Sequence, residues 1–402
     1  MDLRETAEER AFRASIREWL AKHLSLQWGG EDRREPAQLF DRFAFRRKWH
    51  RKMYQGGWLG LHWPKQYGGR GLSLIEQLIV NEELAKAEAP QIANWVGVEL
   101  VGPTLIRWSS EAQKRAYLPR ILNGSDVWCQ AWSEPGAGSD LTAISTTATE
   151  DGDGWIINGA KRWISWAQFA HFCIVLARVG DPQLRHRSLA CFIVPLDAQG
   201  VTVNPIPMMN GEAEENDVIF DAVRVPRENL VGPPSGGWNV VLTAMGLARG
   251  TATLMRAVEL EVMFQKAARM AKLMPDPEDC ALSRPRVRRQ LVRLQTRIEA
   301  LKYLAYRKIG DLESSTNFNA VASTEKLVWS RLSQELTELA LHIQGPHALI
   351  ASNGSNGSNG SEETWPGFWR QSYLRAKANA IEGGTDEIQK NTIAKQILGM
   401  SA

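Results

Sequence analysis

The chain has 402 residues, of which 44% are hydrophobic and 23% charged. That is ordinary globular composition, and the length suits two or three domains at the usual ~150 residues each. With 48 basic and 45 acidic residues the net charge is +3, a near balance that gives no support to nucleic-acid binding.

Apolar positions at Leu3, Ala7, Ala11, Phe12, Ile16, Trp19 and Leu20 predict a helix from Leu3 to Leu24. Acidic residues begin at Asp2 and no apolar core opens the chain, so no secretory signal is expected and the protein is read as cytoplasmic. Further helices are predicted over Leu39 to Gln55, stopped by Gly56 and Gly57, then over 74–88, 91–108 and 111–122, the last ended by Asn123 and Gly124. Residues 1–125 therefore read as an all-helical domain. Between 126 and 235 the apolar runs shorten and become β-rich: Trp155 to Ile157, Phe172 to Val179, Leu189 to Val194, Val201 to Val203 and Val218 to Val225. Asn158-Gly159 is the strongest hairpin signal, since both residues tolerate positive φ, and a small antiparallel β domain is expected. Residues 236–402 return to long helical periodicity over 237–274, 286–313, 317–350 and 384–398, the pattern of an antiparallel bundle. The Ser-Asn-Gly repeat at Ser352 to Ser361 reads as a flexible loop. The longest apolar runs, such as Phe172 to Ala177, fall far short of the ~18 residues of a membrane span.

Cys129, Cys173, Cys191 and Cys280 lack C-x-x-C spacing, which suits buried small hydrophobes rather than a metal site or disulfides. The basic clusters Arg42 to Lys52 and Arg284 to Arg297 read first as solvated helix faces. Trp (16) outnumbers Phe (11) and Tyr (6), which suits wide aromatic walls as well as plain core packing.

Three segments carry chemistry. Trp132-Ser133-Glu134-Pro135-Gly136-Ala137-Gly138-Ser139-Asp140 has small residues that let backbone approach a ligand and hydroxyls suited to anionic oxygens; alone, it reads first as a plain turn. Lys161-Arg162-Trp163-Ile164-Ser165 sets an indole beside a hydroxyl, able to stack on a flat ring and to bond its heteroatoms, or simply to fill a core. Ala380 to Asn391 places Gly383-Gly384-Thr385 before a helix with an acidic first turn, a start that exposes backbone N–H groups or merely caps a helix well.

In this order, the three segments closely resemble the acyl-CoA dehydrogenase family, in particular its bacterial branch with tryptophan-rich WSEPGAGSD motifs. Supporting matches are Gly57-Trp58-Leu59-Gly60, Trp63-Pro64, Tyr67-Gly68-Gly69, Tyr117-Leu118-Pro119 and Val225-Pro226. The resemblance implies an α+β fold with a helical N-terminal domain, a central antiparallel β domain and a C-terminal four-helix bundle. It further implies FAD, an acyl-CoA thioester substrate, electron-transfer flavoprotein as redox partner, and a homotetramer or homodimer, a heteromer being the alternative. By the same resemblance Gln130, Trp132, Ser133, Gly138 and Ser139 would line the flavin, with Ser139 reaching pyrophosphate and CoA. Trp163 would lie against the ring and Ser165 near its reactive nitrogen, while Gly384, Thr385 and Glu387 would touch the adenosine half. Arg249 would stand near the CoA end of the substrate channel, and the N–H of Gly383 would polarise the thioester.

The family's reaction removes an α-proton from the thioester while a hydride leaves the β-carbon, so it needs a carboxylate facing the acyl chain. The two places where relatives carry that carboxylate are occupied here by Gly383 and by Ala248 in Gly246-Leu247-Ala248-Arg249-Gly250. Three readings follow: a dehydrogenase whose glutamate has been replaced, with natural or engineered loss of activity; a shifted base at Glu382; or other chemistry, as a monooxygenase-like or desulfinase-like flavoenzyme or as the non-catalytic subunit of a heteromeric dehydrogenase. The Arg-x-x-Phe-Gly motif of many relatives is missing around Phe264 to Met274, and Glu215 stands where relatives place an aromatic residue.

Overall fold

Helix α1 (Ala7–His23) opens on a capping box: the Thr6 hydroxyl accepts the Glu9 N–H at 3.1 Å, and the Glu9 carboxylate accepts the Thr6 N–H at 2.7 Å. The computed structural model describes residues 4–24, 35–36, 38–250, 252–276, 279–314, 318–349 and 366–400. The Ser-Asn-Gly segment lies outside the described residues, as do the side chains at 247–254. Two compact units emerge. One joins Met1–Arg42, Leu74–Ala89 and Arg249–Ala402; the other joins Phe43–Ser73 and Pro90–Ala248.

The predicted N-terminal helices form as α2 (Leu39–Gln55), α3 (Leu74–Lys86), α4 (Gly102–Trp108) and α5 (Glu111–Asn123). One helix over 91–108 is not what forms: a π turn at Gly97–Val101 precedes α4. The two glycines flanking it admit large neighbours. A Cβ on Gly102 would come within 2.1 Å of the buried Trp63 indole, and one on Gly97 within 2.4 Å of the Asn94 amide. Helix α5 has its own capping box, Ser110 with Gln113, and ends at Gly124 in the left-handed region (φ +74°), against His50.

The sheet comprises β1 (Trp128–Ala131), β2 (Thr147–Asp151), β3 (Gly154–Lys161), β4 (Phe172–Arg178), β5 (Leu189–Pro195), β6 (Val201–Ile206), β7 (Glu215–Pro226) and β8 (Leu230–Val231). Strands lie in the order β6-β7-β3-β2-β4-β5-β8, with β1 beside β4. Most pairs are antiparallel as expected, but β1 runs parallel to β4 and β2 meets it in parallel at Thr147–Arg178. Trp155, Ile157, Val175, Phe192, Val194 and Phe220 make the buried core of this layer.

Asn158-Gly159 does not turn a hairpin. The β2–β3 turn is at Asp151 to Gly154, where Gly152 takes φ +62°, and Asn158-Gly159 lies inside β3 at a bulge against β7. Thr146 explains the glycine: a Cβ at 159 would meet its side chain at 2.4 Å and its Cα at 2.7 Å.

Beyond α6 (Gly237–Gly250), the bundle is built from α7 (Ala252–Leu273), α8 (Pro285–Ser314), α9 (Phe318–Gln344) and α11 (Asp386–Gln396), with α10 (Pro366–Ala376) beside α9. Leu260, Phe264, Leu291, Leu294, Ile298, Leu332, Leu336 and the fully buried Trp369 of α10 form its core. Helices α1 and α3 belong to this same unit. Leu78 and Ala85 of α3 pack with Val258 and Ala305, and the buried Glu83 carboxylate accepts from Arg17 at 2.6 Å and from Arg13 at 2.5 Å. Among the described residues, no helix is long and apolar enough to cross a membrane, and no cluster of metal-ligating side chains occurs.

Candidate functional site

Strand β1 delivers the first segment, and Asn94 fixes where it starts. The buried Asn94 amide donates to the carbonyls of Ile121 (3.0 Å) and Asp126 (2.8 Å) and accepts the N–H of Trp128 (2.9 Å). Gln130 follows, half-buried, then Trp132, buried, with an indole N–H that finds no acceptor among the described residues. At Glu134 the chain makes a four-residue turn, closed by backbone bonds between Glu134 and Ala137 in both directions (2.9 and 3.2 Å). Pro135 and Gly136 form its exposed tip.

The Glu134 side chain turns inward. It accepts from the Ser145 N–H (2.6 Å), the Ser145 hydroxyl (2.7 Å), the Thr146 N–H (2.9 Å) and the fully buried Lys161 (2.9 Å), and Lys161 also donates to the Trp132 carbonyl at 3.0 Å. Burial alone would raise the Glu134 carboxyl, but the Lys161 ammonium and these donors hold it down at about 2. Burial also pushes the Lys161 ammonium down, and Glu134 restrains the fall to about 8. The pair is therefore ionised near neutral pH and clamps the glycine-rich loop to β3. Past the turn, Gly138 and Ser139 are exposed, and a Cβ built on Gly136 or Gly138 would meet nothing within 4 Å.

The second segment is bonded to the first, since the Arg162 N–H donates to the Ser133 carbonyl at 2.9 Å. Trp163 and Trp166 both take left-handed backbone, φ +65° and +61°, conformations that non-glycine residues adopt only when their surroundings enforce them. Trp166 is buried beside Phe43 and Phe169, with the Arg46 guanidinium 5.2 Å from its ring centroid, whereas Trp163 is 57% exposed. Ser165 donates to the Glu215 carboxylate. Next to the first segment, a cavity of about 380 Å³ is lined by Thr142, Ser145, Thr147, Arg178 and Arg185 among others. Buried Arg178 bonds the carbonyls of Thr142, Ile144 and Arg185 and the Ser188 hydroxyl, tying the loop after Asp140 to the β4–β5 connection.

The third segment lies in the other unit and is considered by itself. Thr385 caps α11, its hydroxyl accepting the Ile388 N–H at 3.3 Å. Gly383 (φ +64°) and Gly384 (φ +96°) turn their carbonyls inward: Gln389 donates to both (3.2 and 3.0 Å), and Lys326 donates to Gly384 at 2.8 Å. In a trans peptide the N–H opposes the C=O, so the N–H groups of Gly384 and Thr385 face away from these anchors, at the positive end of α11. Glu387 is exposed on the first turn. Glu382 is half-exposed and held by Arg375 at 2.8 Å. Ala248 and Arg249 fall on α6, their side chains outside the described residues.

Within one unit, then, bonds link the segment carrying Trp132 and Ser133 to the segment carrying Trp163 and Ser165, while Glu382, Gly383, Gly384, Thr385 and Glu387 sit together in the other. Lys161, Glu134, Asn94, Lys326 and Gln389 hold these segments in place, and the sequence reading assigned none of them a role. Lys161 had a legible signal: it stands on a strand in phase with the inward Trp155 and Ile157, where a lysine calls for a buried partner.

Comparison with known proteins decides the family. The acyl-CoA dehydrogenase N-terminal, middle and C-terminal domain models match residues 6–125, 129–223 and 235–398. The chain belongs to the acyl-CoA dehydrogenase family. It is 36% identical over 395 residues to acyl-CoA dehydrogenase IpdE1 of Mycobacterium tuberculosis, covering 97% of each chain, and 35% identical to IpdE1 of Mycolicibacterium smegmatis, covering 98% of each. Among solved structures it is similar to the Tcur3481-Tcur3483 steroid ACAD (TM-score 0.85, 29% identity, all of both chains). It is also similar to the ChsE4-ChsE5 complex from Mycobacterium tuberculosis (TM-score 0.84, 27% identity, all of both chains).

Acyl-CoA dehydrogenases are FAD flavoproteins, and each of these two groups of residues, taken by itself, has features that suit part of that cofactor. The open side of the Gly136–Gly138 loop, the unsatisfied Trp132 N–H and the exposed Trp163 fit a flat ring with polar edges, and the outward N–H groups before α11 fit anionic or polar oxygens.

Proposed function

We propose that the chain is an FAD-binding acyl-CoA dehydrogenase scaffold for a bulky, polycyclic CoA thioester, lacking its own α-proton base. The observation that carries this reading is the state of the late motif. Position 383 is a glycine in left-handed backbone with nothing within 4 Å of where a Cβ would stand, and the neighbouring carboxylate, Glu382, is engaged by Arg375. With Ala248 at the alternative position, neither of the two family positions carries a carboxylate, and Glu382 beside one of them is already engaged.

Trp132, Ser133, Trp163 and Ser165 would hold the flavin ring, Gln130, Gly138 and Ser139 its border with the pyrophosphate and CoA, and Gly384, Thr385 and Glu387 the adenosine half. Bound FAD supplies the acceptor for the two electrons that leave the β-carbon as hydride. The N–H of residue 383 would hold the thioester oxygen as enolate charge develops, and Arg249 the CoA end. Electron-transfer flavoprotein is the proposed oxidant of the reduced flavin. A ring-bearing acyl group is supported by the similarity to a solved steroid ACAD and by the tryptophan-rich composition.

Anaerobic flavin bleaching by a panel of acyl-CoAs, comparing the natural chain with Ala248→Glu, tests the reading. Bleaching by the glutamate variant at least ~100-fold faster supports it, since a general base is typically worth that much or more. Equal rates in both proteins overturn it.

A second reading rests on a separate observation: two of the similar solved structures are complexes of two different chains. Here the scaffold works as one member of a hetero-oligomer whose other chain carries the carboxylate. Desaturation that appears only on mixing with a base-bearing relative, without Ala248→Glu, selects this reading over the first.

A further inference from the structure

The loop that carries Trp163 is stitched to the start of β7 almost residue by residue. Arg162 and Asp217 form a bidentate pair at 2.8 and 2.7 Å, the Ile164 N–H donates to the Asn216 carbonyl at 2.9 Å, and the Trp166 N–H donates to the Glu214 carbonyl at 2.8 Å. The buried Asn216 amide returns a bond to the Ile164 carbonyl at 2.9 Å. Between these links, Ser165 Oγ lies 3.0 Å from Glu215 Oε1 and 3.2 Å from Oε2. Backbone bonds on either side thus hold the two segments that carry Ser165 and Glu215 next to each other.

An ionised carboxylate only accepts, and a serine hydroxyl has one proton to give. That proton is committed to Glu215, so Ser165 shows two lone pairs to anything on its other side. Charge-assisted bonds of this kind are stronger than neutral ones, which keeps the hydroxyl from turning round.

We propose that Glu215 is a positioning residue that fixes the direction of the Ser165 hydroxyl, so that Ser165 meets the flavin edge as an acceptor and favours the reduced ring, which carries a hydrogen there. The inference rests on the FAD reading above and concerns Glu215, at a position where the family resemblance leads one to expect an aromatic side chain.

The test is a reductive titration of the full chain loaded with FAD, against a reference dye, for the natural protein, Glu215→Leu, Ser165→Ala and the double variant. Ser165→Ala alone removes the acceptor, and the reduced-to-oxidised ratio at a fixed potential is expected to fall about fivefold, the value of one ordinary hydrogen bond. For a two-electron couple that is about 20 mV. The change produced by Glu215→Leu is expected to differ by a similar factor according to whether the Ser165 hydroxyl is present, and Glu215→Gln, whose amide oxygen still accepts, is expected to restore most of that difference. An identical response to Glu215→Leu in both backgrounds would show that the carboxylate acts only through its charge and overturns the proposal while leaving FAD binding intact. A rise in the ratio on Ser165→Ala overturns it too, since the hydroxyl would then have been a donor to the oxidised ring. Failure of the full chain to hold FAD overturns both this inference and the reading beneath it.

Discussion

Lys161 Nζ lies 2.9 Å from Glu134 Oε1, and the two side chains are 0% and 3% exposed. The pair joins a strand interior to the inner side of the Glu134–Ala137 turn, so it links the sheet core to the glycine-rich loop. Removing one member leaves the other as a buried, uncompensated charge. Lys161→Met is expected to destabilise the protein by about 3–5 kcal/mol in urea unfolding. The double variant Lys161→Met/Glu134→Gln should recover a large part of that loss, and a single-variant loss below about 1 kcal/mol would contradict the clamp.

Acid should act on a different residue first. His50 is buried, with Nε2 donating to the Leu122 carbonyl at 2.9 Å and Nδ1 finding no partner among the described residues, and burial pushes its pKa down from 6.5 to about 4. A depressed folded-state value means that the unfolded chain takes the proton first. Stability is therefore full above 6.5 and declines as pH falls toward 4, by about 3 kcal/mol in all. His50→Gln should flatten that slope in unfolding curves recorded between pH 4 and 7; an unchanged slope would place the acid sensitivity elsewhere.

The bulge in β3 separates two glycines that look alike in sequence. At Gly152 the added methyl group has open space and only positive φ to contend with, so Gly152→Ala should cost about 1 kcal/mol. At Gly159 it collides with Thr146, including its backbone, so Gly159→Ala should cost about 2–4 kcal/mol. Thermal melts of the two variants, run side by side, give the ordering directly.

Glu382 offers the cleanest check on where a base resides. Its carboxylate is held by Arg375, and Glu382→Gln keeps its shape. In the Ala248→Glu background the substitution is expected to change single-turnover bleaching less than about threefold. A fall of ~100-fold or more would make Glu382 the proton acceptor.

Periodicity alone located most of the helices: α2 was bounded to the residue by Gly56 and the apolar stripe, and the short apolar runs located β4 and β5 to within one residue at their C-terminal ends. The failures have physical causes. Asn158-Gly159 has the composition of a type I′ turn, but Thr146, distant in sequence, needs the space at Gly159, and tertiary packing outranks the local signal. The π turn at Gly97–Val101 depends on where the Trp63 ring rests, which no local pattern encodes. The candidate segments stood out in the sequence because glycine, serine and tryptophan concentrate there. Their supports, Asn94, Lys326 and Gln389, act across long separations and leave no periodic trace.

Asn94 has a consequence for how this protein can be divided. A single amide is shared among a helix end, the Asp126 carbonyl and the first residue of β1, and it uses donors and acceptor at once. Aspartate in its place would set an oxygen against two carbonyls, and leucine would orphan all three groups. A fragment cut near residue 125 to liberate the β region would thus carry an edge strand with its first N–H unanswered and an exposed row of apolar side chains. Such a fragment is expected to be recovered from expression as aggregate.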